Sequence, residues 1–252
     1  MAKTVKRPEI FYAEILDLFL QHNAPFMVGG TYAFTAYMDI VRPTKDMDLF
    51  CPVDDYPKLL KIASDAGYHT EVLDQLWIAK IHEDKLTVDI IFAEGNGLEK
   101  VDTTWLQHAR QGEVLGHQVK LMPLEEMLRS KTYIQNRERY DGADVAHLIL
   151  RYGRTIDWKL LQQKMEPNWE ILFAHLINFS FVYPNDIHLI PDWLIQEYSK
   201  RLREKFAKPV NEKEKVSRGL LLSWNYRVAV EKWGYKPISP FFSHDYDKQY
   251  KK

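Results

Sequence analysis

The order of apolar and polar residues predicts alternating helices and strands over roughly the first half of the chain. A helix is predicted over 8–22, where the apolar positions recur at helical spacing. The apolar run 25–28 is typical of a short strand, and a helix is predicted over 31–37. The alternation continues with a strand at 46–50, a helix at 56–66, strands at 77–82 and 86–92, and a hairpin within 113–121 that turns at Gly116.

From Pro123 onward the pattern becomes helical. Asp157 is a candidate N-cap for one of these helices, and Pro191 suits the first turn of another. The sequence therefore predicts an α/β domain over residues 1–122 and an α-helical lobe over residues 123–252. The helices predicted in the lobe cover 124–136, 142–151, 158–165, 169–181, 191–206 and 217–233.

Most of the tryptophans lie in this helical region. Aromatic residues at helical spacing are usually part of a core and only occasionally a stacking platform for a base. We predict a core role for Trp158, Trp169, Trp193, Trp224 and Trp233.

The Gly29-Gly30 pair lies between the first predicted strand and the helix that follows it. Paired glycines allow a close backbone approach and a positive φ, and the N–H groups and dipole of a helix start favour an anion such as phosphate. A nucleoside triphosphate would suit such a turn. The alternative is a tight turn that binds no ligand.

Asp46 and Asp48 follow Gly30 by sixteen and eighteen residues. Alternation along a strand places both carboxylates on one face and Met47 and Leu49 on the other. Two ionised acids at this spacing repel each other, and a shared cation such as Mg²⁺, which takes oxygen ligands, holds them together. The alternative is an exposed acidic strand edge.

Asp89 is enclosed by apolar neighbours in the strand predicted at 86–92. A charge in such surroundings is costly unless it is paired or bound to a metal. Without a metal, Asp89 would cap a backbone amide or pair with Lys80 or Lys85.

Together these motifs resemble the nucleotidyltransferase superfamily typified by DNA polymerase beta. The resemblance rests on Gly-Gly at 29–30, Arg-x-Thr-Lys-Asp-x-Asp-Leu-Phe at 42–50 and Val-Asp-Ile-Ile at 88–91. A helix carrying Lys131, then Arg137 and Asp144, extends the match to about residue 150. The small bacterial members are the most similar, including aminoglycoside nucleotidyltransferases and nucleotidyl-transferring toxins of phage defence.

The resemblance implies an α+β fold with a nucleotidyltransferase-type mixed sheet flanked by helices and followed by the helical lobe. It also implies that Asp46, Asp48 and Asp89 are catalytic and hold two Mg²⁺ ions, with Mn²⁺ as an alternative. The family's Gly-Ser pair is Gly-Gly here, so a hydroxyl on a phosphate would have to come from Thr31. The residues that the resemblance places at the nucleotide are Gly29, Gly30, Thr31, Lys45 and Lys131, while Arg42, Arg137 and Asp144 match positions that vary among branches.

Composition narrows the choice of partner and compartment. The formal net charge is −1, which gives no overall field that would draw the chain to nucleic acid. The single cysteine, Cys51, excludes an intrachain disulfide and fits a reducing compartment. Since the sequence contains no membrane-spanning run and no signal peptide, we expect a cytoplasmic protein.

Two functions are consistent with these motifs. The first is a Mg²⁺-dependent enzyme that transfers a nucleoside monophosphate from an NTP, such as ATP, to a hydroxyl of a small molecule, a protein or an RNA. The second is a catalytically silent nucleotide-binding or regulatory protein on the same fold. One form of this alternative is a protein that acts as one half of a toxin and antitoxin pair. Retention of all three acids favours the enzyme, and the sequence leaves its acceptor open.

Overall fold

A computed structural model describes residues 7–135, 139–166, 168–211, 213–218 and 224–238. The chain divides into two compact units, Met1–Pro123 and Leu124–Lys252. The first unit contains a seven-stranded mixed sheet with its helices, and the described part of the second is mainly helical. The predicted α+β fold, with a mixed sheet flanked by helices and a helical region after it, is confirmed.

The first unit is built on one sheet whose strands run in the spatial order β3-β4-β5-β2-β1-β7-β6. Within it β2 pairs in parallel with β5, and β1 in parallel with β7, while the other neighbours are antiparallel. The elements, in chain order, are α1 (Pro8–Gln21), β1 (Met27–Val28), α2 (Gly30–Met38), β2 (Asp46–Phe50), α3 (Tyr56–Asp65), β3 (His69–Asp74), β4 (Ile78–Glu83), β5 (Leu86–Ile91), α4 (Thr103–His108), β6 (Arg110–Val114) and β7 (His117–Leu121).

The central strands have one apolar face, because alternate residues of each strand point to the same side. The register places Met47 beside Val88 and Leu49 beside Ile90, and all four side chains are fully buried. The matching positions of β4 are also buried and apolar. Helices α1 and α3 contact each other, α1 contacts β5, and α3 contacts β4. The intervening positions on β2, β4 and β5 are therefore left for polar side chains on the opposite face.

The second unit packs short helices around α5. This helix contacts α6, α7 and α8, and α8 in turn contacts α9. No helix among the described residues has the length and apolar character needed to cross a membrane. The elements of this unit are α5 (Leu124–Thr132), α6 (Gly142–Tyr152), α7 (Trp158–Lys164), α8 (Trp169–Val182), a 3-10 turn (Ile187–Leu189), α9 (Asp192–Ala207), β8 (Val216–Ser217), α10 (Trp224–Trp233) and β9 (Lys236–Pro237).

Most predicted elements are present, with several differences. Strands β3, β8 and β9 and helix α4 are not among the predicted elements, and α5 ends at Thr132 instead of residue 136. The helix predicted over 217–233 is wrong at its start, because Ser217 lies in β8 and the described helix is α10, with 219–223 outside the described residues. Pro191 is the N-cap of α9 and does not lie in its first turn, whereas Asp157 caps α7 as predicted by accepting two backbone N–H bonds. The core interpretation holds for Trp158 and Trp169, which are buried.

That interpretation is wrong for two other tryptophans. Trp193 is 40% exposed and Trp233 is 58% exposed. Their indole rings therefore lie at the surface of the second unit. The prediction failed because the helical spacing of aromatic residues does not by itself indicate which face of a helix is covered. The side chain of Trp224 lies outside the described residues.

Candidate active site

The glycine pair joins β1 to α2 and lies against β2. The Gly29 N–H donates to the carbonyl of Asp48 at 2.9 Å. Gly30 has φ +53°, and a Cβ added there would lie 1.7 Å from Oδ2 of Asp48. Both the backbone conformation and the space therefore require glycine at position 30. The start of α2 and the Asp48 carboxylate thus lie side by side.

The three predicted acids lie on one face of two adjacent parallel strands. Asp46 and Asp48 alternate with buried apolar residues along β2, and Asp89 lies in β5 in direct register with Asp48. Residues paired in a ladder project their side chains to the same side of the sheet. The strands therefore bring together carboxylates that are about forty residues apart in the sequence.

Asp89 is ion-paired with a lysine of the next strand. Lys80 is the register partner of Asp89 across the β4–β5 pair, and its Nζ donates to Asp89 Oδ1 at 2.7 Å. Burial raises the pKa of the Asp89 carboxyl, the bond from Lys80 opposes that rise, and the negative charge of Asp46 adds to it. Of the two lysines that the sequence offered as partners, the structure selects Lys80.

The polar face extends beyond the carboxylates in two rows that follow the strand registers. One row runs Glu71, Lys80, Asp89 and Asp48, and the other runs His69, His82, Thr87 and Asp46, across β3, β4, β5 and β2. The two histidine rings are 5.3 Å apart, and His82 Nε2 lies 3.4 Å from the Glu71 carboxylate. A continuous polar surface therefore joins the three acids to the β3 edge of the sheet.

Asp46 is held in place by contacts at the start of β2. Thr44 Oγ1 donates to Asp46 Oδ1 at 3.0 Å, and the buried Tyr12 donates its hydroxyl to the Lys45 carbonyl at 2.8 Å. Tyr32 meets the Tyr12 ring edge-on at 5.8 Å. Burial raises the pKa of Tyr12 to about 12, and Tyr32 and Asp46 add to the rise. Tyr12 is therefore a protonated hydrogen-bond donor at neutral pH.

Tyr12 and Thr44 are two residues near the site that the sequence does not predict as site residues. Tyr12 lies on the apolar face of the predicted first helix, which indicates that it is buried, but nothing local indicates its hydrogen bond to the backbone of Lys45, 33 residues away. Thr44 lies within the motif at 42–50, but the family resemblance assigns no role to it. Its position two residues before Asp46 is the local signal that identifies it, since a threonine hydroxyl at that distance reaches a neighbouring carboxylate.

The donor set fits a hard divalent cation, because it consists of three carboxylates, the ligand type that Mg²⁺ takes. As they stand, however, no three acidic, histidine or cysteine side chains in the described parts of the chain are arranged to hold a metal ion. Lys80 engages one oxygen of Asp89 in this arrangement. A cation that takes this oxygen of Asp89 would have to displace the ammonium of Lys80.

Lys131 lies in the second unit, within a buried ionic cluster. Its Nζ donates to Asp141 at 2.9 Å and to Asp144 at 2.6 Å, and Arg139 also pairs with Asp141. These cations lower the pKa of Asp141 against the opposing effect of burial. Lys131 is thus a buried counter-ion here, and a contact with nucleotide phosphates stays a prediction.

The remaining predicted residues are near the glycine turn and the start of β2. Thr31 lies in the first turn of α2 and is half-buried, and Lys45 is exposed immediately before Asp46. The Arg42 guanidinium lies over the Phe34 ring, 4.6 Å from its centroid. Arg137 lies outside the described residues.

Several solved structures are similar to this chain at low identity. The antibiotic-resistance factor ANT(2'')-Ia has 16% identity and a TM-score of 0.45, covering 66% of this chain and 95% of its own. The lincosamide antibiotic adenylyltransferase LnuA has 18% identity and a TM-score of 0.41, covering 58% and 98%. An antigenic nucleotidyltransferase-like protein from Paracoccidioides brasiliensis has 16% identity and a TM-score of 0.44, covering 72% and 92%.

No curated protein matches the chain. A family comparison is more decisive, because it covers more than half of the sequence and spans both the glycine turn and the three acids. Residues 12–171 match the family described as nucleotidyl transferase of unknown function (DUF2204), and the chain therefore belongs to that family.

Proposed function

We propose that this protein is a divalent-metal-dependent enzyme that transfers a nucleoside monophosphate from an NTP to a hydroxyl group and releases pyrophosphate. One observation carries the proposal. Asp48 and Asp89 are register partners on parallel strands, and Gly30 brings the start of α2 against the Asp48 carboxylate. Carboxylates for cations and a helix start for phosphate are thereby combined in one place.

Each group has a separate task in the proposed reaction. Asp46, Asp48 and Asp89 would hold the cations, and the first turn of α2 would bind the β and γ phosphates through backbone N–H groups. Bound Mg²⁺ supplies charge neutralisation at the reacting phosphates and activation of the nucleophile. Thr44 and Tyr12 hold the strand that presents Asp46.

The acceptor hydroxyl attacks the α-phosphorus in line with the leaving group. A new oxygen–phosphorus bond forms as the bond to the bridging oxygen of the pyrophosphate breaks, and the bonding electrons leave with the pyrophosphate. Asp89 is the candidate acceptor of the hydroxyl proton, and burial raises its pKa, which makes the carboxylate a better base.

Calorimetric titration of the four NTPs, with and without Mg²⁺, tests the proposal. We expect metal-dependent binding that is lost when Asp46 and Asp48 are both changed to Asn. A matched control changes Asp54 and Asp65, two exposed acids of the same unit, to Asn. The control alters the charge equally and should bind as the native chain does. Absence of binding in the native chain under every condition would contradict the proposal.

The Asp89→Asn variant separates binding from turnover. The amide still accepts a hydrogen bond from Lys80, so we expect the fold to persist while transfer from a labelled NTP is abolished. The far-ultraviolet circular dichroism spectrum checks the fold. Transfer at the native rate by this variant would exclude Asp89 from the chemistry.

The alternative, a silent nucleotide-binding protein, is favoured by the engagement of one Asp89 oxygen with Lys80. It predicts NTP binding without pyrophosphate release in the presence of any acceptor. If transfer occurs, salt dependence distinguishes the acceptors: binding of RNA weakens steeply with salt, whereas binding of an uncharged small molecule hardly changes. The net charge of −1 favours the second outcome.

A further inference from the structure

Lys80 is the basic residue that the sheet places next to the catalytic acids. The Glu71, Lys80, Asp89 and Asp48 row fixes its position, because β4 is the immediate neighbour of β5 on the side away from β2. Asp89 therefore has a carboxylate on one side, from Asp48, and an ammonium on the other.

The ion pair is shielded from solvent and set by the backbone. The side chain of Lys80 is 22% exposed and that of Asp89 is 12% exposed. By contrast, Lys85 lies in the exposed turn between β4 and β5, only four residues from Asp89 in the sequence. A partly desolvated pair with fixed strand register is a stronger interaction than a surface pair between two mobile side chains.

We propose that Lys80 is an internal counter-ion which neutralises Asp89 until a divalent cation binds, and which the cation displaces. This inference rests on the proposed function, since it concerns the same metal site. It goes further by assigning a role to a residue outside the carboxylate triad. In this role Lys80 is a positioning residue, because it acts on the site through Asp89.

The charges explain why such a residue is useful. Asp46 and Asp89 are close enough for the charge of Asp46 to raise the pKa of Asp89, and Asp48 lies in register with Asp89 on the neighbouring strand. The ammonium of Lys80 offsets one of these charges. A cation that takes Oδ1 of Asp89 competes with Lys80 for that oxygen and is repelled by the ammonium, and both effects weaken metal affinity.

Titration with Mn²⁺ measures this competition directly, with the concentration of the free ion monitored by electron paramagnetic resonance. Removing the charge in Lys80→Met should tighten Mn²⁺ binding by about tenfold or more, equivalent to about 1.4 kcal/mol. Lys85→Met changes the net charge by the same amount at the exposed turn and should leave the affinity within about twofold, since exposed charges are screened. Lys80→Arg keeps the cation and should also bind like the native protein.

Metal-free stability provides a second measurement. In the presence of a chelator, Lys80→Met should unfold at a lower temperature than the native chain, because Asp89 loses its ion-pair partner. Added Mn²⁺ should then raise the melting temperature of Lys80→Met by more than it raises that of the native chain. If Lys80→Met does not fold, Lys80→Gln, which retains a hydrogen-bond donor for Asp89, takes its place in both experiments.

The possible outcomes separate this inference from the proposed function. Native protein that binds Mn²⁺, together with unchanged affinity in Lys80→Met or its replacement Lys80→Gln, would overturn the inference and leave the metal site intact. Tighter binding in Lys80→Met than in Lys80→Arg, Lys85→Met and the native chain would support it. No Mn²⁺ binding by any variant, with or without NTP, would contradict both.

Discussion

The contact between Gly30 and Asp48 allows a quantitative prediction. In Gly30→Ala, the backbone at φ +53° costs about 1–2 kcal/mol for a residue with a side chain. The new Cβ would also lie 1.7 Å from Oδ2 and 2.7 Å from Cγ of Asp48. Relieving such overpacking costs about 1–3 kcal/mol more. We therefore expect a loss of about 2–5 kcal/mol in the free energy of unfolding.

Urea denaturation of a double-mutant cycle isolates the second contribution. Asp48→Ala removes the two closest atoms and leaves only its own Cβ, 3.1 Å from the added methyl. In that background Gly30→Ala should cost only the backbone part, so the two substitutions should couple by about 1–3 kcal/mol. Gly116→Ala is the control, because Gly116 also has a positive φ but nothing within 4 Å of an added Cβ. Additive effects at positions 30 and 48, within about 0.5 kcal/mol, would refute this reasoning.

Three further predictions concern the tyrosine beside the site and the ionic cluster of the second unit. Tyr12→Phe removes the partly buried hydrogen bond to the Lys45 carbonyl and should lower the unfolding free energy by about 1 kcal/mol in thermal denaturation, and an unchanged melting temperature would contradict this. Lys131→Met leaves the buried Asp141 and Asp144 without the ammonium group between them and should lower the free energy of unfolding by about 3–5 kcal/mol. An unchanged urea denaturation curve would show that the two ion pairs of Lys131 do not contribute to stability. Arg139 and Lys131 lower the pKa of Asp141 in the folded protein, so the unfolded chain binds a proton at Asp141 more readily than the folded chain does. The stability that Asp141 contributes is therefore complete above the unfolded pKa of about 3.9 and is lost as the pH falls through the folded pKa. Acid titration monitored by circular dichroism should show that Arg139→Gln unfolds at a higher pH than the native chain, and unfolding of both at the same pH would contradict the role given to Arg139.

The sequence predicts the central strands well because their burial is local and alternating. In β2 the polar residues alternate with the buried Met47 and Leu49, and in β5 Asp89 lies between the buried Val88 and Ile90. Strand β3 has no such pattern, since it is an edge strand whose side chains are exposed or half-buried, and its pairing with β4 is what makes it a strand. Helix α4 has only six residues, too few for a periodic signal.

For the site, the sequence supplies the residue types but not their neighbours. The spacing of Asp46 and Asp48 along one strand predicts a shared face, yet nothing local indicates that Asp89 lies beside Asp48. That expectation came from the family resemblance. Likewise Lys80 and Lys85 are equivalent as partners on the sequence, and only the antiparallel register of β4 and β5 distinguishes them.

The parallel pairings of the first unit also have a consequence for biosynthesis. Strand β2 meets its parallel partner only after β3 and β4 have been made, and β1 gains its second neighbour only when Leu121 is available. Such non-local pairings form late, because a long loop must close before any contact is gained. On the ribosome, Asp48 and Asp89 would therefore stay apart until β5 had emerged, and β1 would keep an open edge until β7 followed. A chain that ends before β5 would lack the register that brings the acids together.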